Sequence, residues 1–162
     1  MRAGAYLTVL REHVHSGQPD YRSNGITVQR MSLANPDREL YIGPVTRGPF
    51  GRVVVFGAGG TLIELIDDRA MELPPLNQFL ARHLIERSRV AETLAEWRGA
   101  QAIDMEALEQ VLLRVSEMVC ELPQLREMDI NPIIVDEFGA VAVDARIVID
   151  NAVQPVSGRT NH

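Results

Sequence analysis

The stretch MDINPIIVDEFGAVAVDARI, from Met128 to Ile147, decides how the chain is read. Two apolar runs, Met128 to Val135 and Ala140 to Ala145, flank a turn at Asp136 to Gly139, and the second continues as Arg146-Ile147-Val148. Such a pattern predicts a hairpin. It places Asn131 and Asp144 near each other, with Asp129 beside them. Ile130, Ile133, Ile134, Val141 and Val143 are expected to be largely buried around these polar groups. A carboxylate in such surroundings is expensive unless it is paired or bound to a cation. Mg²⁺ takes oxygen ligands and combines one or two carboxylates with water and substrate phosphates. An Asn oxygen and an Asp carboxylate across a hairpin meet that need. Arg146, two residues after Asp144, shares its strand face, and a planar guanidinium suits a phosphate. A plain structural reading also accounts for these residues. In it Asp129 or Asp144 pairs with Arg146, and Asn131 makes turn hydrogen bonds, the commoner use of such residues. The residues alone leave both readings standing.

Working outward, GPFGRVVVFGAGGTLIELI, Gly48 to Ile66, predicts a strand at Arg52 to Phe56 and another at Leu62 to Ile66. Gly57, Gly59 and Gly60 between them allow a tight bend or close backbone approach to a ligand. The segment lacks the lysine and hydroxyl of a phosphate loop. With a strand expected next, it does not match a dinucleotide loop that opens a helix. Glu64 faces the same burial problem as Asp144, or else it lies on the solvent face. Earlier, Ile26 to Met31 and Leu40 to Val45 read as strands, with Glu39 opening the second. Leu7, Leu10 and Val14 suggest a short helix, followed by a loop from Ser16 to Gly25.

Asp67-Asp68-Arg69 is polar, and Leu73-Pro74-Pro75-Leu76 reads as an extended crossing. Asn77 is expected to cap a helix running to about Glu96, and Asp104 another running to about Leu122. Leu108, Val111, Leu112, Val115, Met118 and Val119 recur at the spacing of a buried stripe. Cys120 is expected to pack beside it as an inert hydrophobe. Strands, two consecutive helices, then strands argue for an α+β lobe: a mostly antiparallel sheet packed against two helices.

Composition removes other classes. The 162 residues suit one domain or two small lobes. A net charge of -6 lacks the basic footprint of nucleic-acid binding. One cysteine excludes an intramolecular disulfide or a cysteine metal cluster. The N-terminal residues do not read as a secretory signal, and no stretch approaches the ~20 apolar residues of a membrane span. Cytoplasmic residence is the default expectation. The four histidines (13, 15, 83 and 162) form no HExxH or related cluster, and no GxSxG is present. His83 is expected to be a surface helical residue.

VQRM, ELYIG, GPFGRVVVFGAGGTLIELIDD, WRG, DINPIIV and VAVDARI occur in this order from Val28 to Ile147. Together they resemble the ATP-grasp portion of ADP-forming acyl-CoA synthetases, a module also fused in some bacterial protein acetyltransferases. More distantly they resemble the β-subunit of succinyl-CoA synthetase. The resemblance implies an ATP-grasp-like C-terminal lobe over 26–150. Residues 1–25 would be an incomplete N-terminal remnant, and 151–162 a disordered polar tail. It implies formation of an acyl-CoA from an acid, CoA and ATP, through an acyl phosphate and a phosphohistidine relay. Val28, Gln29, Arg30 and Met31 resemble the hinge lining adenine. Asn131 and Asp144 match positions holding Mg²⁺ on ATP, with Asp129 an acidic position beside them. Arg146 matches a basic position near the phosphates. Glu39, Gly59, Gly60 and Glu64 match further motif positions; the first three are taken as nucleotide contacts, and Glu64 with Arg146 as catalytic candidates.

The family's other cleft wall, its CoA-binding domains and its relay histidine have no counterpart among these motifs. Family members often carry glycine where this chain has Glu96. CoA and the carboxylic acid would therefore be handled by other domains, and a protein partner or self-association through an exposed apolar face is expected. The alternative function is a non-catalytic structural or regulatory module that keeps the fold.

Overall fold

The computed structural model describes residues 38–46, 49, 51–60, 69–96, 99 and 101–150. All of them belong to one compact unit, Ser32–His162. The strands are β1 (Glu39–Thr46), β2 (Arg52–Ala58), β3 (Arg69–Glu72), β4 (Leu125–Asp136), β5 (Gly139–Ala142) and β6 (Ala145–Ile149). The helices are α1 (Gln78–Glu86), α2 (Ala91–Leu94) and α3 (Met105–Glu121). The sheet runs β3-β2-β1-β4-β5, with β6 also pairing β4, and every pairing is antiparallel. The expected α+β class and antiparallel sheet are the observed ones.

Alternation along the strands makes two faces. Leu40, Ile42, Val54 and Phe56 point to the helices and form one core with Ala81, Leu84 and Ile85 of α1 and Leu108, Leu112, Val115 and Val119 of α3. Tyr41, Val53 and Val55 form a smaller cluster on the opposite face, with Val45 and Met71 packed against it.

Asn77 caps α1 by accepting from the Leu80 amide at 2.9 Å, and Asp104 caps α3 by accepting from Ala107 at 3.0 Å. Both caps match the sequence reading. The first helix does not run to Glu96, however. The Ser88 hydroxyl, buried, donates to the Ile85 carbonyl at 2.7 Å, competing with continuation of the helix. Short three-residue hydrogen bonds such as Thr93 to Val90 follow, and only the four-residue α2 re-forms.

Arg69, from the polar Asp67-Asp68-Arg69 stretch, opens a strand, because β3 pairs with Val54 to Gly57 of β2. The strand expected at Leu62 to Ile66 lies outside the described residues, as do those expected at Ile26 to Met31 and the helix near Leu7. Cys120 is exposed and does not pack beside the α3 stripe. It lies near the end of the helix, one residue after the buried Val119. His83 is exposed as expected, its ring stacked 6.0 Å from that of Phe79.

Buried charges tie the layers together. The Arg38 side chain, only 3% exposed, donates to the carbonyls of Thr93 (3.0 Å), Ala95 (2.8 Å) and Gln101 (2.6 Å). Arg52 donates to the carbonyls of Leu122 and Pro123, capping a helix end that lacks a basic residue of its own. Glu109, fully buried in α3, accepts from Arg82 at 2.5 Å and Gln78 at 3.2 Å. Since three carbonyls depend on one planar fork, Arg38→Met is expected to lower stability by about 3 kcal/mol in urea unfolding. Arg38→Lys should recover less than half of that loss, because an ammonium cannot reproduce the fork. A lysine variant as stable as the wild type would contradict this role.

Candidate functional site

Strand β4 carries one residue too many for its partner. Leu40 pairs with Ile133 and Ile42 with Ile130, so two steps on β1 meet three on β4. The surplus falls at Asn131-Pro132, whose peptide bond is cis. Proline has no amide to give a ladder, so a bulge is where a strand tolerates it. The bulge lets Met128 and Ile130 on one side, and Ile133 and Val135 on the other, all enter the same core.

Asn131 is thereby held from two directions. Its backbone amide donates to the Asp144 carbonyl at 3.1 Å, and its side-chain oxygen accepts from the Gly60 amide at 2.8 Å. The Val143 amide donates to the Pro132 carbonyl at 3.0 Å. Asp144 sits at the break between β5 and β6, opposite the bulge. The expected proximity of Asn131 and Asp144 is present, although their segments meet as a bulge facing a strand break instead of a regular ladder.

The paired glycines now have a physical role. Gly59 donates from its amide to the Glu39 carbonyl at 2.7 Å. A Cβ on Gly59 would lie 2.5 Å from the Leu40 carbonyl and 2.9 Å from the Asn131 side-chain oxygen. Gly60 has φ +66°, and a Cβ there would run into the Glu39 carboxylate. Side chains at either position would close the space in which Glu39, the Gly60 amide and Asn131 meet. The sequence singled out all four positions without indicating that they converge.

Asp129 accepts at Oδ1 from the Tyr41 hydroxyl at 2.8 Å. Arg146 stands opposite Asp129 in the β4–β6 register. Its guanidinium nevertheless lies 3.6 Å from Glu127 Oε2, so it pairs with neither Asp129 nor Asp144. Asp144 is exposed, and Val141 and Val143 are 55% and 40% exposed, against the expectation of burial. They belong to the outer segment of the sheet, where the far face meets no described helix. Exposure removes the desolvation argument for Asp144 and leaves its carboxylate accessible. Gln29, Arg30, Met31 and Glu64 lie outside the described residues.

Tyr41 is the residue that sequence reading missed. It is 7% exposed, and Arg69 lies over its ring at 5.8 Å. Burial first, then the hydrogen bond and the charge of Asp129, push its hydroxyl up to about 12, while Arg69 opposes the shift. The signal available in the sequence was a tyrosine on the same alternation as Glu39.

Magnesium bound with phosphate and water needs only one or two protein oxygens. Asn131 offers an amide oxygen with a second lone pair beyond the one given to Gly60, and Asp144 an accessible carboxylate. No group of three or more His, Cys, Asp or Glu side chains among the described residues could enclose a metal. The donors fit a hydrated, phosphate-bound Mg²⁺ and do not fit an ion held by protein alone. Among the described residues no helix is long and apolar enough to cross a membrane.

Residues 3–149 match a family described as the ATP-grasp domain. The chain is 32% identical over 145 residues to the beta subunit of acetate–CoA ligase [ADP-forming] I of Pyrococcus furiosus, covering 90% of this chain and 61% of that subunit. It resembles the dinucleotide forming acetyl-coenzyme A synthetase 1 of Ca. Korarchaeum cryptofilum in complex with coenzyme A and Mg-AMPPCP, whose phosphohistidine segment points towards the nucleotide binding site. That match has 35% identity and a TM-score of 0.68, over 72% of this chain and 55% of the other. The same enzyme with coenzyme A, acetyl-coenzyme A and a phosphorylated phosphohistidine segment matches with 32% identity and a TM-score of 0.78, over 88% and 63%. The chain thus spans about three fifths of the length of these relatives.

The Tyr41 shift has a direction in stability. The folded chain holds this proton more tightly than the unfolded chain, whose tyrosine titrates at about 10. The resulting stabilisation is fully present below that pH and is lost as pH rises toward about 12. Tyr41→Phe is therefore expected to flatten the alkaline fall in stability and to remove a tyrosine that titrates at about 12 from an ultraviolet tyrosinate titration. Identical alkaline profiles for the two proteins would contradict the assignment.

Proposed function

The chain belongs to the ATP-grasp domain family, and from that premise we propose that it binds Mg-ATP on the sheet face carrying Glu39, Asn131 and Asp144, as part of an ADP-forming acyl-CoA synthetase. The observation that carries this reading is the convergence of Asn131, Asp144, Gly60 and Glu39 at one bulge. Asn131 and Asp144 would hold the ion, and a bound Mg²⁺ would offset negative charge on the phosphates. The Gly59-Gly60 backbone, free of side chains, would let phosphate approach the sheet closely. Arg146, on the strand that follows Asp144, would supply a positive charge for the phosphates on exchanging its partner Glu127. Glu64 and the Gln29 to Met31 strand complete the proposal as a catalytic carboxylate and an adenine contact.

The whole reaction, acid plus CoA plus ATP to acyl-CoA, ADP and phosphate, is proposed for this chain together with a partner or further domains that handle CoA and the acid. The relatives support this division, since one is named as a subunit and another is in complex with coenzyme A and Mg-AMPPCP, its phosphohistidine segment pointing towards the nucleotide binding site. The lobe 26–150 as the binding unit and a cytoplasmic location belong to the same proposal.

Titration calorimetry with Mg-ATP on the chain tests the reading. Binding should require the metal and should weaken at least about tenfold in Asp144→Asn, in line with loss of one charge-assisted ligand. Absence of any binding, or binding indifferent to both metal and Asp144, would contradict it. Binding without turnover when the CoA-handling partner is supplied would favour a non-catalytic module over a synthetase.

A further inference from the structure

Asp129 is two residues from Asn131 on β4, on the alternation that faces away from the α1–α3 core. A short carboxylate on a strand has two χ angles to settle, and its natural cross-strand partner here is Arg146. That arginine has turned to Glu127 instead. Among the described residues, only the Tyr41 hydroxyl holds Asp129.

How Tyr41 reaches it depends on Gly43. Residues 41 and 43 share a face of β1, so the ring can lie along the strand toward residue 43 only if that residue has no side chain. A Cβ on Gly43 would sit 2.6 Å from the Tyr41 hydroxyl oxygen and 2.5 Å from the Met128 carbonyl. Gly43 therefore admits two things at once: the tyrosine lying over it and the close passage of β4. Arg69 over the ring adds a third contact. The hydroxyl takes one carboxylate oxygen and leaves the other without a protein partner among the described residues. Asp129 also lines a cavity of about 410 Å³ where β1 and β4 diverge, with Pro44, Thr46, Arg126 and Met128.

We infer that Tyr41 is a positioning residue of the proposed Mg-ATP site: laid over Gly43, it fixes Asp129 so that its second oxygen is presented beside Asn131 to the metal-bound phosphates or their water. This inference rests on the nucleotide reading of the sheet face. It adds a residue that the sequence motifs did not indicate and gives Gly43 a reason to be glycine. A tyrosine that merely satisfied its own hydroxyl in a packed position would affect folding and leave ligand binding alone.

The experiment compares the wild-type chain, Tyr41→Phe, Asp129→Asn and the double variant by titration calorimetry, with Mg-ATP and with metal-free ATP. Thermal unfolding is followed in parallel. Loss of an orienting partner should weaken Mg-ATP about tenfold in Tyr41→Phe and metal-free ATP by less than about twofold. The double variant should bind no worse than Asp129→Asn alone, because the tyrosine acts through that carboxylate. Unchanged Mg-ATP binding in Tyr41→Phe, equal losses for both forms of the nucleotide, or additive losses in the double variant would each overturn the inference. Asp129→Asn keeps an oxygen for the Tyr41 hydroxyl; if Tyr41→Phe fails to fold, wild-type affinity in Asp129→Asn overturns the inference by itself. A wild-type chain that binds no Mg-ATP removes the nucleotide reading and this inference with it. Binding by the wild type and Tyr41→Phe alike removes the inference only.

Discussion

Asn131 joins three separated parts of the chain. Its oxygen accepts from Gly60 after β2, its backbone amide donates to Asp144 between β5 and β6, and its strand pairs with β1. Buried or half-buried backbone amides need such partners. The extra residue in β4 takes Asn131 out of the ladder with β1, and its amide turns to Asp144 instead. The rest of the far sheet face follows from this arrangement. The break at Val143-Asp144 mirrors the bulge, Gly59 and Gly60 stay free of side chains so that Asn131 can reach them, and Glu39 closes the fourth side.

The helix side of the sheet serves a different purpose. Leu40, Ile42, Val54, Phe56 and Ile133 are almost completely buried against α1 and α3. Arg38, Arg52 and Glu109 fasten helix ends and loops by charge-assisted hydrogen bonds. Oxygen ligands on a binding face need to be held by a rigid support if their geometry is to be maintained. The apolar core on one face supplies that support to the polar groups on the other.

Much of this was legible from residue patterns. The Asn77 and Asp104 caps, the α3 stripe and the strands at Leu40, Arg52 and Met128 follow local rules that tertiary contacts reinforce. The nearness of Asn131 and Asp144 followed from hairpin logic around Gly139. Other features were not local. The end of α1 depends on a buried Ser88 hydroxyl, and nothing in the periodicity marks that burial. Val141, Val143 and Cys120 are apolar or weakly polar residues left exposed, so hydrophobicity alone misplaced them. Tyr41 carried no signal beyond its alternation with Glu39. Its contact with Asp129 joins residues far apart in the chain, and depends on a glycine two residues later. Arg146 went to Glu127, a partner that its spacing from Asp129 and Asp144 did not suggest.

The proposed place of the phosphate-bound metal is the Asn131 bulge, on the face opposite the helices. Replacing Mg²⁺ by Mn²⁺ on bound ATP and mapping paramagnetic broadening of backbone amide signals tests it most directly. Gly59, Gly60, Asn131 and Asp144 are expected to broaden first, while Leu112 in α3 and Leu84 in α1 keep their signals. Broadening centred on the helices, or none anywhere in the chain at saturating nucleotide, would contradict it.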